Sequence, residues 1–280
     1  MHICLIMDNP ETPQHPVIAV ALQALSARHT VRLLDILNLS GAEASRLEAG
    51  NQPADLYLLK SHAPQALELA QTLELAGRQV VNSWSSSLAC QDRTLMTAQM
   101  QEALLPWPAT RAFATLAEAV DDPALSAPSA WPLIIKSRFS QRGDLVDKLH
   151  NKEQLQALLA QWSQEPIVFQ EFIAGDGWDI KIWVIDQHVF AARRRTPLEE
   201  GASKEDFPIS AAELPTAWRE LALAIGRAFK MPLYGVDLLI TQKGPLIVDV
   251  NAFPGFRGVP GASEALVELI ERLLQAEKSA

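Results

Sequence analysis

The chain has 280 residues, 48% hydrophobic and 20% charged, which suits one large α/β domain or two to three small ones and rules out a disordered tail protein. A net charge of −9 without a polybasic run argues against non-specific nucleic-acid binding and against docking on an acidic membrane face. No apolar run reaches the roughly 18–20 residues of a membrane helix, and Met1 to Asp8 lack the basic n-region of a secretion signal. Cys4 and Cys90 are far apart and outside any CxxC spacing, so a disulfide framework and a Cys-based zinc site are disfavoured and a reducing, cytoplasmic location is expected.

In chain order, His2 to Met7 reads as a buried strand, followed by a proline-rich loop from Asp8 to Pro16. Val17 to Ala27 has helical periodicity, Thr30 to Ile36 and Leu56 to Leu59 read as strands, Pro64 to Ala76 as a helix and Gln79 to Val81 as a short fourth strand. This βαβ rhythm predicts a parallel sheet covered by helices. Strand one is not followed by GxGxxG, which disfavours an ordinary dinucleotide fold. A single helix is expected from Ser85 to Ala103, ended by Pro106 and Pro108, with a domain boundary near 85–110. Beyond it come a strand at Leu133 to Ser137, a helix at Asn151 to Trp162 opened by an Asn151–Gln154 capping box, and a strand at Ile167 to Phe172. A hairpin follows from Lys181 to Arg195, turning at Asp186-Gln187. A mobile polar loop is expected from Thr196 to Ile209 and a helix from Thr216 to Phe229. A second hairpin, Tyr234 to Ile240 with Pro245 to Val250, turns at Gln242 to Gly244, and Ser263 to Glu277 reads as a closing helix. There is no internal repeat and no low-complexity tract.

The chemistry concentrates in the second hairpin. Asp249 and Asn251 are two residues apart and share a strand face, and an antiparallel partner can bring Asp237 onto that face. Two carboxylates and an amide oxygen suit Mg²⁺ bound with nucleotide phosphates. Each residue alone would equally suit a strand end; the three together, beside Phe253-Pro254-Gly255, select the metal. Lys136, ending an apolar strand, is costly to bury unless phosphate oxygens offset the cost; an exposed strand-end lysine is the alternative. The turn Ser140-Gln141-Arg142-Gly143 could close over phosphates through its amides. Past the strand Val168 to Gln170, backbone polar groups could pair with a purine edge, Glu171 could accept its amino hydrogen, and Asp179 is near enough in sequence for a ribose hydroxyl; a strand ending at the surface is the competing reading. Arg193-Arg194-Arg195 reads as an anion site or a solvated charge run, with Lys181 on the partner strand able to share the face of Arg194.

Taken in this order, Val168 to Arg195 with Gly235 to Gly258 resembles the ATP-grasp superfamily, over roughly residues 85–262. The resemblance implies an ATP-grasp fold of the α/β class, with an N-terminal parallel α/β domain over 1–90, a central lid subdomain over 91–168 and a C-terminal subdomain over 169–280 that carries the metal site. It implies ATP and Mg²⁺ as cofactors, with Mn²⁺ as the alternative ion. Asp237, Asp249 and Asn251 match the family's metal ligands. Lys136 matches its strand lysine. Arg93, in Gln91-Asp92-Arg93, stands where ligases usually have their first phosphate lysine. Gln170, Glu171, Phe172 and Ile173 match the adenine hinge and Asp179 the ribose carboxylate, which leaves Arg194 and Lys181 for the transferring group.

Two branches are similar. RimK-like glutamate ligases share the Gln-Glu-Phe-Ile hinge and the Val-Asn-x-x-Pro-Gly motif; inositol tris/tetrakisphosphate kinases share Asp249 to Phe256 and Arg193-Arg194 followed by Thr196. The expected function is a Mg-ATP-dependent carboxylate–amine ligase working through an acyl phosphate, its partners a small-molecule or peptide carboxylate and an amino acid or amine. The alternative is a small-molecule kinase, and the third reading a nucleotide-binding protein without turnover. In either enzyme the γ-phosphoryl group moves to oxygen while Mg²⁺ and cations stabilise the spreading charge. Phe139 to Asp144 and Thr196 to Ile209, polar and poor in apolar anchors, are expected to gain order when Mg-ATP and acceptor bind.

Overall fold

Strand β1 (His2–Met7) is buried over all but its first residue and lies inside a parallel sheet. It pairs with β2 (Thr30–Asp35) on one side and β3 (Leu56–Lys60) on the other, and β4 (Val80–Val81) pairs with β3, giving the order β2-β1-β3-β4. Helices α1 (Pro16–Ser26) and α2 (Pro64–Leu75) both start with proline at their first positions, where a missing N–H costs nothing. The computed structural model describes residues 1–39, 53–140, 143–195 and 206–278. No helix among them is long and apolar enough to cross a membrane.

The single helix expected from Ser85 to Ala103 is two helices, α3 (Trp84–Gln91) and α4 (Arg93–Glu102), broken at Asp92 (φ −102°, ψ 106°). Apolar periodicity does not register the break, because it is made by one polar side chain. The Asp92 carboxylate caps α4, accepting from Thr94 N at 2.9 Å and from Thr94 Oγ1 at 2.6 Å. It also takes a two-pronged contact from Arg138, Nε–Oδ1 3.0 Å and Nη2–Oδ2 2.6 Å. Burial pushes the Asp92 carboxyl up, but the hydrogen bonds from Arg138 and Thr94 outweigh it and leave it below the ordinary value. A depressed carboxyl adds stability above its unfolded value of about 3.9 and loses it as pH falls through the folded value. Asp92→Asn keeps the cap and removes the charge. It should cost about 1–2 kcal/mol at neutral pH, discounted because Arg138 is partly open to screening solvent. Urea titrations at pH 7 and pH 3 check this: the gap between wild type and variant should shrink at pH 3, and an unchanged gap refutes the charged contact.

The second sheet is antiparallel, in the order β5-β8-β6-β7: β5 (Thr110–Phe113), β6 (Leu133–Ser137), β7 (Val146–Leu149) and β8 (Ile167–Glu171). Strands β5 and β7 have no counterpart in the sequence reading. They are short edge strands with mostly exposed residues, and sheet pairing rather than an apolar run makes them strands. Helix α5 (Leu116–Val120) was likewise not expected; Thr115 caps it through Glu118 N. The expected helix from Asn151 is split into α6 (Lys152–Ala157) and α7 (Leu159–Trp162). Asn151 caps Gln154 N at 2.9 Å as expected, but the Gln154 side chain reaches the His150 N–H, at 2.7 Å, instead of returning to Asn151. The strand expected over Ile167 to Phe172 is β8, which ends one residue earlier, at Glu171.

The third sheet has the order β11-β10-β9-β12-β13, all neighbours antiparallel: β9 (Trp178–Ile185), β10 (His188–Arg195), β11 (Asp206–Ile209), β12 (Leu233–Thr241) and β13 (Gly244–Ala252). Of the loop expected at Thr196 to Ile209, 206–209 is instead strand β11, held by β10; 196–205 lie outside the described residues. Gln141 and Arg142 of the expected phosphate turn also lie outside them.

One core joins the first sheet to the third: Ile3, Leu5 and α1 pack with Trp183, Phe253 and helix α9 (Ala262–Lys278). The other face of the third sheet packs on α4 and helix α8 (Thr216–Phe229) through Met96, Ile182, Phe229 and Val236. There Tyr234 donates its hydroxyl to Ala222 O at 2.8 Å. A Cβ on Gly226 would lie 2.7 Å from the Tyr234 Cζ, so only glycine lets this buried ring lie against the helix.

Candidate active site

The β12–β13 register sets Asp237 directly opposite Asp249 and Gly235 opposite Asn251. After that pair the register shifts, Leu238 facing Ile247, so Val248 is an extra residue. The bulge solves a phase problem. Without it Ile247 and Asp249 would share a face; with it Ile247 is fully buried in the core while Asp249 lines a cleft. The Val248 carbonyl accepts from Lys136 Nζ at 2.9 Å. That bond crosses from the second sheet to the third within the cleft wall.

Two carboxylates opposed in register repel, and an empty pair needs cations nearby. Lys181, opposite Asp237 on β9, supplies one, Nζ–Oδ1 2.8 Å. Burial pulls the Lys181 ammonium down, and the charge and hydrogen bond of Asp237 overcome this, so the net shift is upward. Lys136 is a second cation. It is 8% exposed; burial holds its ammonium below the ordinary value, against the pull of Asp249 and with the push of Arg93. Asn251 Nδ2 lies 3.4 Å from Asp249 Oδ2, which brings the third expected ligand beside the pair. Among the described residues no group of three His, Cys, Asp or Glu gathers. A metal here would therefore rest on two carboxylates, one amide and oxygens supplied by a ligand, a hard donor set that fits Mg²⁺.

The cleft, about 330 Å³, runs between the second and third sheets. Lys136, Arg93, Asp237 and Asp249 line one part of it, and Gln170 to Ile173 with Asp179 another. Lys181, Arg194 and Asn251 are not in its wall; Lys181 and Asn251 touch it through Asp237 and Asp249. Several expected residues arrive with partners. Arg93 donates to Ser137 O at 2.6 Å and pairs with Asp144 at 2.8 Å, while its Nε is buried with no partner among the described residues. Gln170 is 3% exposed, with Nε2 3.3 Å from Thr110 Oγ1. The Glu171 side chain is exposed and its N–H is used by Ala109 O at 3.0 Å, so the open backbone of the hinge begins at Phe172.

The arginine run divides by strand alternation. Arg194, opposite Asp179, is clamped by Asp206 through two bonds of 2.6 and 2.7 Å, which raise its pKa. Arg193 and Arg195 stack on the Trp178 ring, 5.1 and 4.1 Å from its centre. The anion site expected of three arginines thus reduces to Arg194, and that guanidinium would have to share or release Asp206. Lys148 was not found from sequence. It lies on β7, lines the cleft, and sits 3.6 Å above the Phe172 ring. Nothing in its local sequence marks it; only the pairing of Lys148 with Ile134 brings it to the hinge.

Two antiparallel sheets gripping a cleft, with lysine from one and paired carboxylates from the other, define the ATP-grasp class. Residues 109–273 match the family model described as the RimK-like ATP-grasp domain, and the chain belongs to that family. Among curated relatives, "Probable alpha-L-glutamate ligase 1" of Shewanella sp. (strain ANA-3) is 30% identical over 164 residues. "Probable alpha-L-glutamate ligase 2" of Shewanella baltica (strain OS195) is 29% identical over the same length. The chain spans about half the length of the curated relatives it matches, 53% in each case. A solved RimK domain ATP-grasp protein from Sphaerobacter thermophilus DSM 20745 shares the fold with a TM-score of 0.75 at 19% identity, over 96% of this chain and 99% of that one. D-alanine–D-alanine ligase from Bacillus anthracis, solved with ATP, does so with a TM-score of 0.72 at 20% identity, over 100% and 99%.

Proposed function

We propose that the protein is a Mg²⁺- and ATP-dependent carboxylate–amine ligase. The observation that carries this reading is the in-register Asp237–Asp249 pair with Asn251, set against the buried Lys136 in the wall of the same cleft. A Mg²⁺ ion bound there would supply charge neutralisation for the transferring phosphoryl group, with Mn²⁺ as the alternative ion. Asp237, Asp249 and Asn251 would hold the metal. Lys136 and Arg93 would bind phosphate oxygens. The backbone at Phe172 and Ile173 with Glu171 and Gln170 would frame adenine, and Asp179 the ribose. Lys181 and Arg194 would act on the transferring group from behind the cleft wall, Lys181 by way of Asp237 and Arg194 on release from Asp206.

In the reaction, a carboxylate oxygen of the acceptor attacks the γ-phosphorus and the bond to the β-phosphate oxygen breaks, releasing ADP. The amine nitrogen then attacks the acyl carbon, phosphate leaves, and the nitrogen loses a proton. No side-chain nucleophile is needed. The chain's part is to align the two oxygens in line and keep water from the acyl phosphate. The matching family model and the glutamate-ligase names of the relatives favour a carboxylate over the hydroxyl acceptor of a kinase.

Incubating the protein with Mg-ATP, a panel of carboxylic acids and a panel of amino acids tests this. ADP release that needs both acid and amine, with a new amide by mass spectrometry, is expected. Release with a polyol alone would overturn the reading. The hinge also predicts ATP over GTP by about tenfold or more, since guanine would turn a carbonyl toward acceptors and leave a buried polar contact unmatched. Equal affinities in calorimetry would refute the hinge assignment.

A further inference from the structure

The larger cavity among the described residues, about 1000 Å³, is a second one beside the cleft. The same two segments lead from one to the other. Lys136 and Asp249 line the cleft; Ser140 and Gly255, a few residues further along each segment, line the second cavity. The rest of its wall comes from the loop after β1, the start of α1, Leu37 after β2, the end of β3 with the start of α2, and Arg257. None of the residues assigned above to nucleotide or metal lies in it.

Four groups that can carry positive charge face this cavity, His15, Lys60, His62 and Arg257; the His62 ring is taken up by the Ser140 carbonyl, 3.1 Å from Nδ1. Lys60 Nζ donates to the Phe253 carbonyl at 2.7 Å and lies 5.4 Å from the Phe253 ring centre. Neither Lys60 nor Arg257 forms an ion pair among the described residues, and Arg257 is exposed. His15 caps α1 without a side-chain bond, Pro16 follows it, and its buried Nδ1 has no hydrogen-bond partner among the described residues. The groups act on each other: burial first, then Lys60 and Arg257, hold the His15 imidazole below its ordinary value, and burial, against the pull of Asp8, brings the Lys60 ammonium down to about 8. Of the acids in the wall, Asp8 already accepts from Ser61 Oγ and His62 N through one oxygen, and Glu11 is exposed. Asp8 offsets part of the Lys60 charge, Arg257 has no ion pair among the described residues, and an anion seated between them at an uncapped helix start lowers the cost of holding these cations together.

We propose that this cavity receives the carboxylate acceptor and selects an acid with a second anionic group, seated on Lys60, Arg257 and His15 while the reacting carboxylate lies toward Lys136 and Asp249. The inference rests on the ligase reading and names its acceptor class. The chain itself supplies the ruler. Phe253, whose carbonyl holds Lys60, is two residues past Asn251, so the anchor is within about 10 Å of the metal ligands' strand. A short diacid, with carboxyl carbons ~5 Å apart, spans much of that interval.

The test uses the full chain with Mg²⁺ and a non-hydrolysable ATP analogue. Calorimetry compares glutarate with its monoamide, which keeps the shape and loses one charge, and with glycerol 3-phosphate. Glutarate should bind about tenfold more tightly than the monoamide. Lys60→Met and Arg257→Gln should each reduce that preference to near unity while affinity for the ATP analogue stays unchanged. Arg257 is exposed, so its variant reports even where Lys60→Met fails to fold. Equal binding of glutarate and monoamide, an unchanged preference in Arg257→Gln, or tighter binding of glycerol 3-phosphate would overturn the proposal. Amide formation from acids without this charge preference would sink the acceptor class and leave the ligase standing. Selective glutarate binding with no acid-dependent ADP release would keep the anion site and sink the ligase.

Discussion

Asp249→Ala is expected to lower turnover by about 10²–10³-fold under saturating Mg²⁺, with the thermal midpoint unchanged or slightly raised. The activity loss follows from the donor set: with one carboxylate gone, Asp237 and Asn251 are left, and Asp237 is already shared with Lys181. Preorganised charge stabilisation of a transferring group is worth several kcal/mol, which sets the scale. The stability effect runs the other way. Asp237 and Asp249 face each other in register, and deleting one like charge removes repulsion the empty sheet carries. ADP release and thermal melting on the same preparation check both halves. Turnover within tenfold of wild type would refute the metal assignment, and a large fall in melting temperature would mean that Asp249 is structural.

Lys136→Met should weaken ATP binding by about ten- to a hundredfold with little loss of stability. The substitution keeps the length of an apolar stem at a site only 8% exposed. It leaves the Val248 carbonyl without its donor, costing about 1 kcal/mol, and removes a buried ammonium whose desolvation cost is of similar or greater size. The two nearly cancel in the empty protein. With nucleotide present they do not, because the triphosphate loses its buried cation. Calorimetry of ATP binding against the thermal midpoint of the free protein separates the terms, and unchanged ATP affinity would remove Lys136 from the phosphate site.

That Asp249 and Asn251 share a face was legible because strand alternation is a local property: residues two apart share a face wherever the strand pairs; Asp237 joins them only through the β12–β13 register. The N-terminal parallel sheet was legible for a related reason, since strands buried on both faces must be continuously apolar, as Ile3 to Met7 are. Arg194 shows the limit. Its place in an arginine run was plain, but its clamp by Asp206 comes from β11, a strand that exists only by pairing with β10.

What the sequence alone determined, then, is what periodicity and short spacing encode: the strand–helix rhythm of the first 81 residues, both hairpins of the third sheet, and the shared strand face of Asp249 and Asn251. Tertiary structure decided whatever depends on a partner far along the chain. Asp92 caps α4 by a local bond, but the Arg138 that clamps its carboxylate comes from 46 residues further along. β7 is a strand because β6 pairs with it, and that pairing carries Lys148 to the hinge. The bulge at Val248 lets one strand send Ile247 into the core and Asp249 into the cleft, a choice no two-residue period contains. The physical reason is common to all three. Backbone pairing and charge neutralisation are satisfied by whichever group the fold brings near, and the local sequence carries no record of which group that will be.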